Sequence, residues 1–208
     1  MPLVETPGPH IMRRIIVGIS GASGALYGIR TLVALRGIPG VESHLVMSPS
    51  ARRTIVDETD WTVSDVEALA HVVHKHADIG AALASGSFLT AGMIIAPCSI
   101  KSLSEIAHSH SGNLLTRAAD VCLKERRRLV LLVRETPLHL GHLELMAQAT
   151  RCGAIVMPPV PAFYGRPSGI EDMVDQTVGK ALDLLDLPHT LLRRWKDPQG
   201  APHPQDGA

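Results

Sequence analysis

Aromatic side chains are nearly missing from this chain: two Trp, two Tyr and two Phe make up 3% of 208 residues. That scarcity excludes the stacking platforms on which single-stranded nucleic acid is held. An excess of one charge is lacking too, since 20 Lys and Arg balance 20 Asp and Glu. Without a basic field, no nucleic-acid partner is expected. The three cysteines, Cys98, Cys122 and Cys152, are odd in number and form no C-x-x-C pair. Such a set fits a reduced, cytoplasmic setting better than a disulfide framework. No apolar run reaches the length that spans a bilayer, so no membrane partner is expected. Residues 1–12 carry Pro2, Glu5, Pro7 and Pro9 where a signal peptide needs an apolar core. They read as a flexible extension, with Met12 as an alternative start.

What the chain does hold is a globular composition, 45% hydrophobic against 19% charged, enough for one domain with a substantial core. Residues 13–195 read as that domain. The tail 196–208, dominated by Pro, Gly, Gln and His, is expected to be disordered. Apolar runs at 14–19, 41–47, 93–96, 129–133 and 154–157 read as strands, with Val72-Val73 as a short additional one. Helical spacing covers 24–36, 50–58, 64–70, 100–108, 113–126, 139–151 and 170–186. This alternation predicts an α/β fold with a Rossmann-like, doubly wound, mostly parallel sheet.

The chain is organised around Ser20-Gly21-Ala22-Ser23-Gly24-Ala25, which follows the first strand and opens the first helix. Gly21 and Gly24 permit a tight turn and close approach of a ligand, and the helix start offers unpaired N–H groups to a phosphate. The stretch is not G-x-G-x-x-G and lacks a P-loop Lys, so alone it fits a plain βα turn equally well. In open parallel sheets, however, ligands sit outside the carboxyl ends of the strands. The other strands deliver Ser48-Pro49-Ser50, Pro97-Cys98-Ser99-Ile100-Lys101-Ser102, Arg134-Glu135-Thr136-Pro137, and a Pro-rich loop ending in Phe163-Tyr164 to that same edge. Each alone is a cap or a turn. Together they read as a site.

Several side chains there can carry chemistry. Arg134 and Glu135 follow an uninterrupted apolar strand, which predicts a carboxylate at a buried sheet edge beside a fixed cation, tunable as a proton donor or acceptor. A local ion pair capping the next helix is the alternative. Arg117, Val121 and Lys124 share one helical face and project two cations toward one region. The following run Glu125-Arg126-Arg127-Arg128 instead favours a solvated basic face. Lys180 lies on a late amphipathic helix. His139 and His142 lack a third ligand, and His71, His74 and His76 lack Cys partners, so all read as structural, with no metal expected. Cys98 reads as a small buried hydrophobe. Asp57-Glu58-Thr59-Asp60 reads as a helix end. Trp195 packs its helix, lines an apolar pocket, or faces a cationic intermediate.

Taken in order, these segments resemble the UbiX-type flavin prenyltransferases over about 13–195. The matching stretches are Ile19-Ser20-Gly21-Ala22-Ser23-Gly24-Ala25, Leu45-Val46-Met47-Ser48, Ala84-Ser85-Gly86-Ser87-Phe88 and Ala96-Pro97-Cys98-Ser99-Ile100-Lys101-Ser102. Further on come Leu115-Thr116-Arg117-Ala118-Ala119-Asp120-Val121, Leu123-Lys124-Glu125-Arg126-Arg127, Val133-Arg134-Glu135-Thr136-Pro137-Leu138 and Pro161-Ala162-Phe163-Tyr164. The resemblance implies a flavodoxin-like subunit that joins dimethylallyl monophosphate to reduced FMN and releases phosphate. Its product, prenylated FMN, would serve UbiD-type decarboxylases, in ubiquinone synthesis or in aromatic-acid degradation. It also implies a homododecamer with the site between subunits.

By position, Gly21, Ala22, Ser23, Ser48, Ser99, Ile100, Lys101, Ser102 and Arg117 match FMN contacts of that family. Tyr164 and Lys180 match contacts to the substrate phosphate, with Lys124 and Arg134 as nearby cations. Ser23 and Glu135 match a proton-relay pair and Trp195 an aromatic wall. Ser102 stands where Thr is frequent, and Ile79 where some members have Trp. No Asp-rich D-D-x-x-D element is visible, which fits a metal-independent reaction. Two other readings remain: an FMN-dependent cysteinyl decarboxylase of the same fold, and a non-catalytic flavin carrier for a decarboxylase.

Overall fold

The computed structural model describes residues 12–192 and Arg194; Trp195 and both terminal segments lie outside the described residues. Six strands form one parallel sheet in the order β3-β2-β1-β4-β5-β6. They are β1 (Arg13–Ile19), β2 (Val41–Met47), β3 (Val72–His74), β4 (Gly92–Cys98), β5 (Arg128–Val133) and β6 (Ile155–Val156). Among the described residues the helices are α1 (Ala25–Arg36), α2 (Pro49–Glu58), α3 (Val63–Leu69), α4 (Ile100–Ala107), α5 (Leu114–Lys124), α6 (Leu140–Arg151) and α7 (Ile170–Asp183). The expected elements are all present, most of them within a few residues of their expected ends. A 3-10 turn at Ala82–Ala84 is additional, because three residues are too short to show a period.

The central strands read as unbroken apolar runs because both of their faces are covered. Ile15, Val17 and Ile19 of β1 join the core beneath α1, α2 and α7, while Ile16 joins the core beneath α4 and α5. This alternation is the period of two of a pleated strand, here apolar on both sides. Capping residues fix where the helices begin. Ser48 accepts from Ala51 N–H with Pro49 next in the chain, Ser99 accepts from Ser102 N–H, and Asn113 accepts from Thr116 N–H. Thr62 and Asp65 close a reciprocal capping box on α3. The chain order reverses at β1, since β2 lies on one side of it and β4 on the other. That switch point leaves a crevice at the carboxyl edge. No helix among the described residues is long and apolar enough to cross a membrane.

Candidate active site

The loops at the carboxyl edge are stitched together around Ser20, whose side chain is buried. Ser20 Oγ donates to Pro97 O at 2.9 Å and accepts from Ser99 N–H at 2.7 Å, which ties the end of β1 to the start of α4. Ser48 N–H donates to Ile19 O at 3.0 Å, and Arg134 N–H to Cys98 O at 3.0 Å, continuing the ladders past the strand ends. A Cβ at Gly21 would collide with Ser50, so only glycine lets the first two loops touch there. Gly24 caps α1 in the left-handed conformation at φ 97°, where glycine pays no steric penalty. Ser23 is exposed between these two glycines.

Those loops bring helix starts and hydroxyls together at one edge. Ser99 and Ser102 share a hydroxyl contact of 3.2 Å at the N-terminus of α4. Helix geometry leaves the first-turn N–H groups of Ile100 and Lys101 without intrahelical partners. The Ser48 cap of α2 and the Gly21–Ser23 turn stand at the same edge. A phosphomonoester fits this set: amide donors, hydroxyls and the positive ends of helices. The residues expected to contact FMN, Gly21, Ala22, Ser23, Ser48, Ser99, Ile100, Lys101 and Ser102, all belong to these turns and helix starts.

Glu58 joins this surface unannounced by the sequence. From the last turn of α2 its Oε2 accepts from Gly24 N–H at 2.7 Å and Ala25 N–H at 3.3 Å. It supplies α1 with the cap that Gly24 cannot and pins the turn carrying Ser23. Carboxylates at a helix C-terminus oppose its dipole, but nothing in Asp57-Glu58-Thr59-Asp60 says which distant backbone one of them serves.

Arg134 is half-buried beside α1. Burial raises the Tyr27 phenol and the positive charge of Arg134 partly offsets it, which locates that cation near the first turn of α1. Glu135 departs from expectation. It is exposed, and its Oε1 accepts from the backbone N–H of Thr136 at 3.1 Å. Among the described residues, nothing covers the β5–α6 loop at Glu135. The ion-pair cap is absent as well: His139 caps α6 without a side-chain hydrogen bond.

Tyr164 and Lys180, far apart in sequence, meet in one cavity of about 220 Å³ together with Met157, Gln176, Thr177 and Leu192. Ile79 is 60% exposed. Cys98 is fully buried, and burial pushes its thiol up to about 12, which makes it the inert hydrophobe expected.

Arg117 and Lys124 do converge, but on the 84–86 segment. Arg117 Nε donates to Ala84 O at 3.2 Å and Nη1 to Asp120 Oδ2 at 2.9 Å. Lys124 pairs with Glu125 against Gly86. Lys124 ends α5 just before β5 begins, so it lies at the amino end of the strand whose carboxyl end carries Glu135. Nor is the basic run after it simply solvated. Arg127 is half-buried and donates to Gly86 O at 2.5 Å, Phe88 O at 2.8 Å and Thr90 Oγ1 at 3.2 Å. Arg128 donates to Leu184 O at 3.0 Å and Asp186 Oδ2 at 2.5 Å. Arg127 thus holds the loop before β4 by its carbonyls, and Arg128 the end of α7, contacts that composition cannot reveal.

A doubly wound α/β protein whose switch point gathers helix N-termini and hydroxyls defines the class. The flavoprotein family model matches residues 4–191. The flavin prenyltransferase UbiX of Escherichia coli K12 is 59% identical over 187 residues, 89% of this chain and 99% of that protein. The crystal structure of AnUbiX (PadA1) with FMN and dimethylallyl pyrophosphate superposes with a TM-score of 0.87 at 52% identity, covering 89% of this chain and 98% of that one. A dodecameric FMN-dependent UbiX-like decarboxylase from Escherichia coli O157:H7 superposes with a TM-score of 0.86 at 48% identity, covering 88% and 100%. The chain belongs to the flavoprotein family and, within it, to the UbiX-type flavin prenyltransferases.

Proposed function

We propose that this protein transfers the dimethylallyl group of dimethylallyl monophosphate to reduced FMN, making prenylated FMN and releasing phosphate. The observation that supports this reading is two separate sets of donors at the ligand edge, each suited to an anion. The first is the Ser23, Ser48 and Ser99 surface; the second is the Tyr164–Lys180 cavity. A flavin phosphate and a prenyl phosphate need one each.

The allylic C–O bond breaks with its electron pair leaving on phosphate, and the C5 fragment carries positive charge until the new bond closes. Reduced FMN supplies the electron pair for that bond. Lys180, Arg134 and Tyr164 stabilise the departing phosphate, as fixed cations and donors do for developing negative charge. Glu135 and Ser23 handle the proton displaced from the flavin, with Glu58 holding the Ser23 turn in place. Trp195 belongs to the proposal through its motif alone. Holding both partners in register contributes much of the rate by orientation.

Lys124 completes the phosphate site from a second protomer, and Arg117 reaches the flavin in the same way. One chain holds Lys124 and Glu135 at opposite ends of β5, whose six residues span about 20 Å. A closed homo-oligomer, a dodecamer like its relative from Escherichia coli O157:H7, brings them together. The product is destined for a UbiD-type decarboxylase in the cytoplasm, in ubiquinone synthesis or in aromatic-acid breakdown.

Anaerobic incubation of the protein with FMN, dithionite and dimethylallyl monophosphate tests the reading. The recovered flavin is expected to be heavier by one C5H8 unit, with phosphate released in equal amount. Glu135→Gln is expected to bind FMN as the wild type does and to lose prenyl transfer. Unmodified flavin with the wild type, or decarboxylation of a cysteinyl peptide in its place, overturns the proposal; full activity in Glu135→Gln removes that residue from the relay.

A further inference from the structure

Helix α7 buries an amide that nothing among the described residues satisfies. Gln176 is 9% exposed, and its Nε2 has no hydrogen-bond partner among the described residues. Such a nitrogen carries two N–H donors, and burying them unmet costs the full desolvation of the group. Gln176 lines the same cavity as Tyr164 and Lys180. Gln176 and Lys180 are four residues apart in a helix, so their side chains lie along one face. Thr177, also at the cavity, already donates its hydroxyl to Met173 O at 3.0 Å. Lys180 has no carboxylate partner among the described residues, and much of the remaining wall is apolar, as at Met157, Val160, Ala162 and Leu192. An ammonium and an unspent amide within a mostly hydrocarbon wall suit an anion with several acceptor oxygens.

We infer that Gln176 is a further substrate-binding residue, donating its amide N–H to a phosphate oxygen of the prenyl phosphate held by Lys180. This rests on the prenyl-transfer reading above. The amide adds a donor without adding charge, and hydrogen bonds to an ionised acceptor are the stronger kind. The apolar wall beside it is left for the hydrocarbon.

Gln176→Leu separates this role from a purely structural one. An orphan amide with no ligand is a defect, so its replacement by an apolar side chain of similar size is expected to leave the melting temperature unchanged or raise it. If the amide binds phosphate, the KM for dimethylallyl monophosphate rises about ten- to a hundredfold. FMN affinity stays as in the wild type, and inorganic phosphate weakens as a competitor by the same factor. Gln176→Met reads the same quantities should the Leu variant fail to fold. An unchanged KM and an unchanged phosphate constant, alongside a raised melting temperature, overturn the inference. Phosphate binding is also read from thermal shift without turnover. A wild type that makes no prenylated flavin yet loses phosphate binding on Gln176→Leu thus sinks the prenyl-transfer reading while keeping the phosphate contact.

Discussion

At the scale of single residues, His44 shows how a polar group survives inside the sheet. Its Nε2 lies 2.7 Å from Glu42 Oε1 and its Nδ1 lies 2.9 Å from His74 Nε2. The two imidazoles stack at 5.2 Å, the edge of Phe88 meets His44 at 5.3 Å, and the Arg14 guanidinium covers that phenyl ring at 4.8 Å. Burial holds both imidazoles below their ordinary value; Glu42 only partly offsets it at His44, while Arg14 and His71 add to it, and Asp78 partly offsets it at His74. The unfolded chain therefore takes up these protons first as pH falls. Stability from this cluster is complete above the ordinary histidine value of about 6.5 and is lost as pH drops through it. Melting curves between about pH 8 and pH 5 are expected to fall more steeply for the wild type than for His44→Leu. Parallel curves contradict the assignment.

At the scale of elements, the site is held by connections that differ in how far sequence reveals them. The strands β1, β4 and β5 were legible because burial on both faces demands continuous apolar runs, β2 through its Leu45-Val46-Met47 end, and Ser48, Ser99 and Asn113 announce their helices through cap chemistry. Glu58 and Arg127 were not legible, since their partners lie 34 and about 40 residues away and are backbone groups, which carry no residue signature. Glu135 was misplaced for a related reason: position after a strand says nothing of whether the next loop is covered. The Arg127 fork has a measurable consequence. Arg127→Lys keeps the charge but cannot reach Gly86 O, Phe88 O and Thr90 Oγ1 together. A loss of about 2 kcal/mol in unfolding free energy is expected from denaturant titration, in line with hydrogen bonds from a charged group. Activity falls as well, because the 84–88 segment seats Arg117 and Lys124. Wild-type stability in Arg127→Lys contradicts the clamp.

At the scale of the whole molecule, the proposed active site draws residues from two protomers. Exposed apolar side chains gather where a neighbour is needed: Leu138, Leu140 and Leu143 stand at α6 beside Glu135, and Val160, Phe163 and Ile170 flank Tyr164. Of α6 only Ala149 is buried. Patches of this kind, placed next to site residues, mark protein–protein contact, and a closed symmetric assembly is the usual way to cover them. The most direct measurement is subunit complementation with Lys124→Ala and Glu135→Gln, each made separately and then mixed by joint refolding. Each variant alone is expected to be inactive in producing prenylated flavin. In mixed oligomers, about a quarter of sites receive an intact Lys124 from one protomer and an intact Glu135 from another, and activity returns in that proportion. Mixed oligomers as inactive as either parent would contradict a site shared between chains.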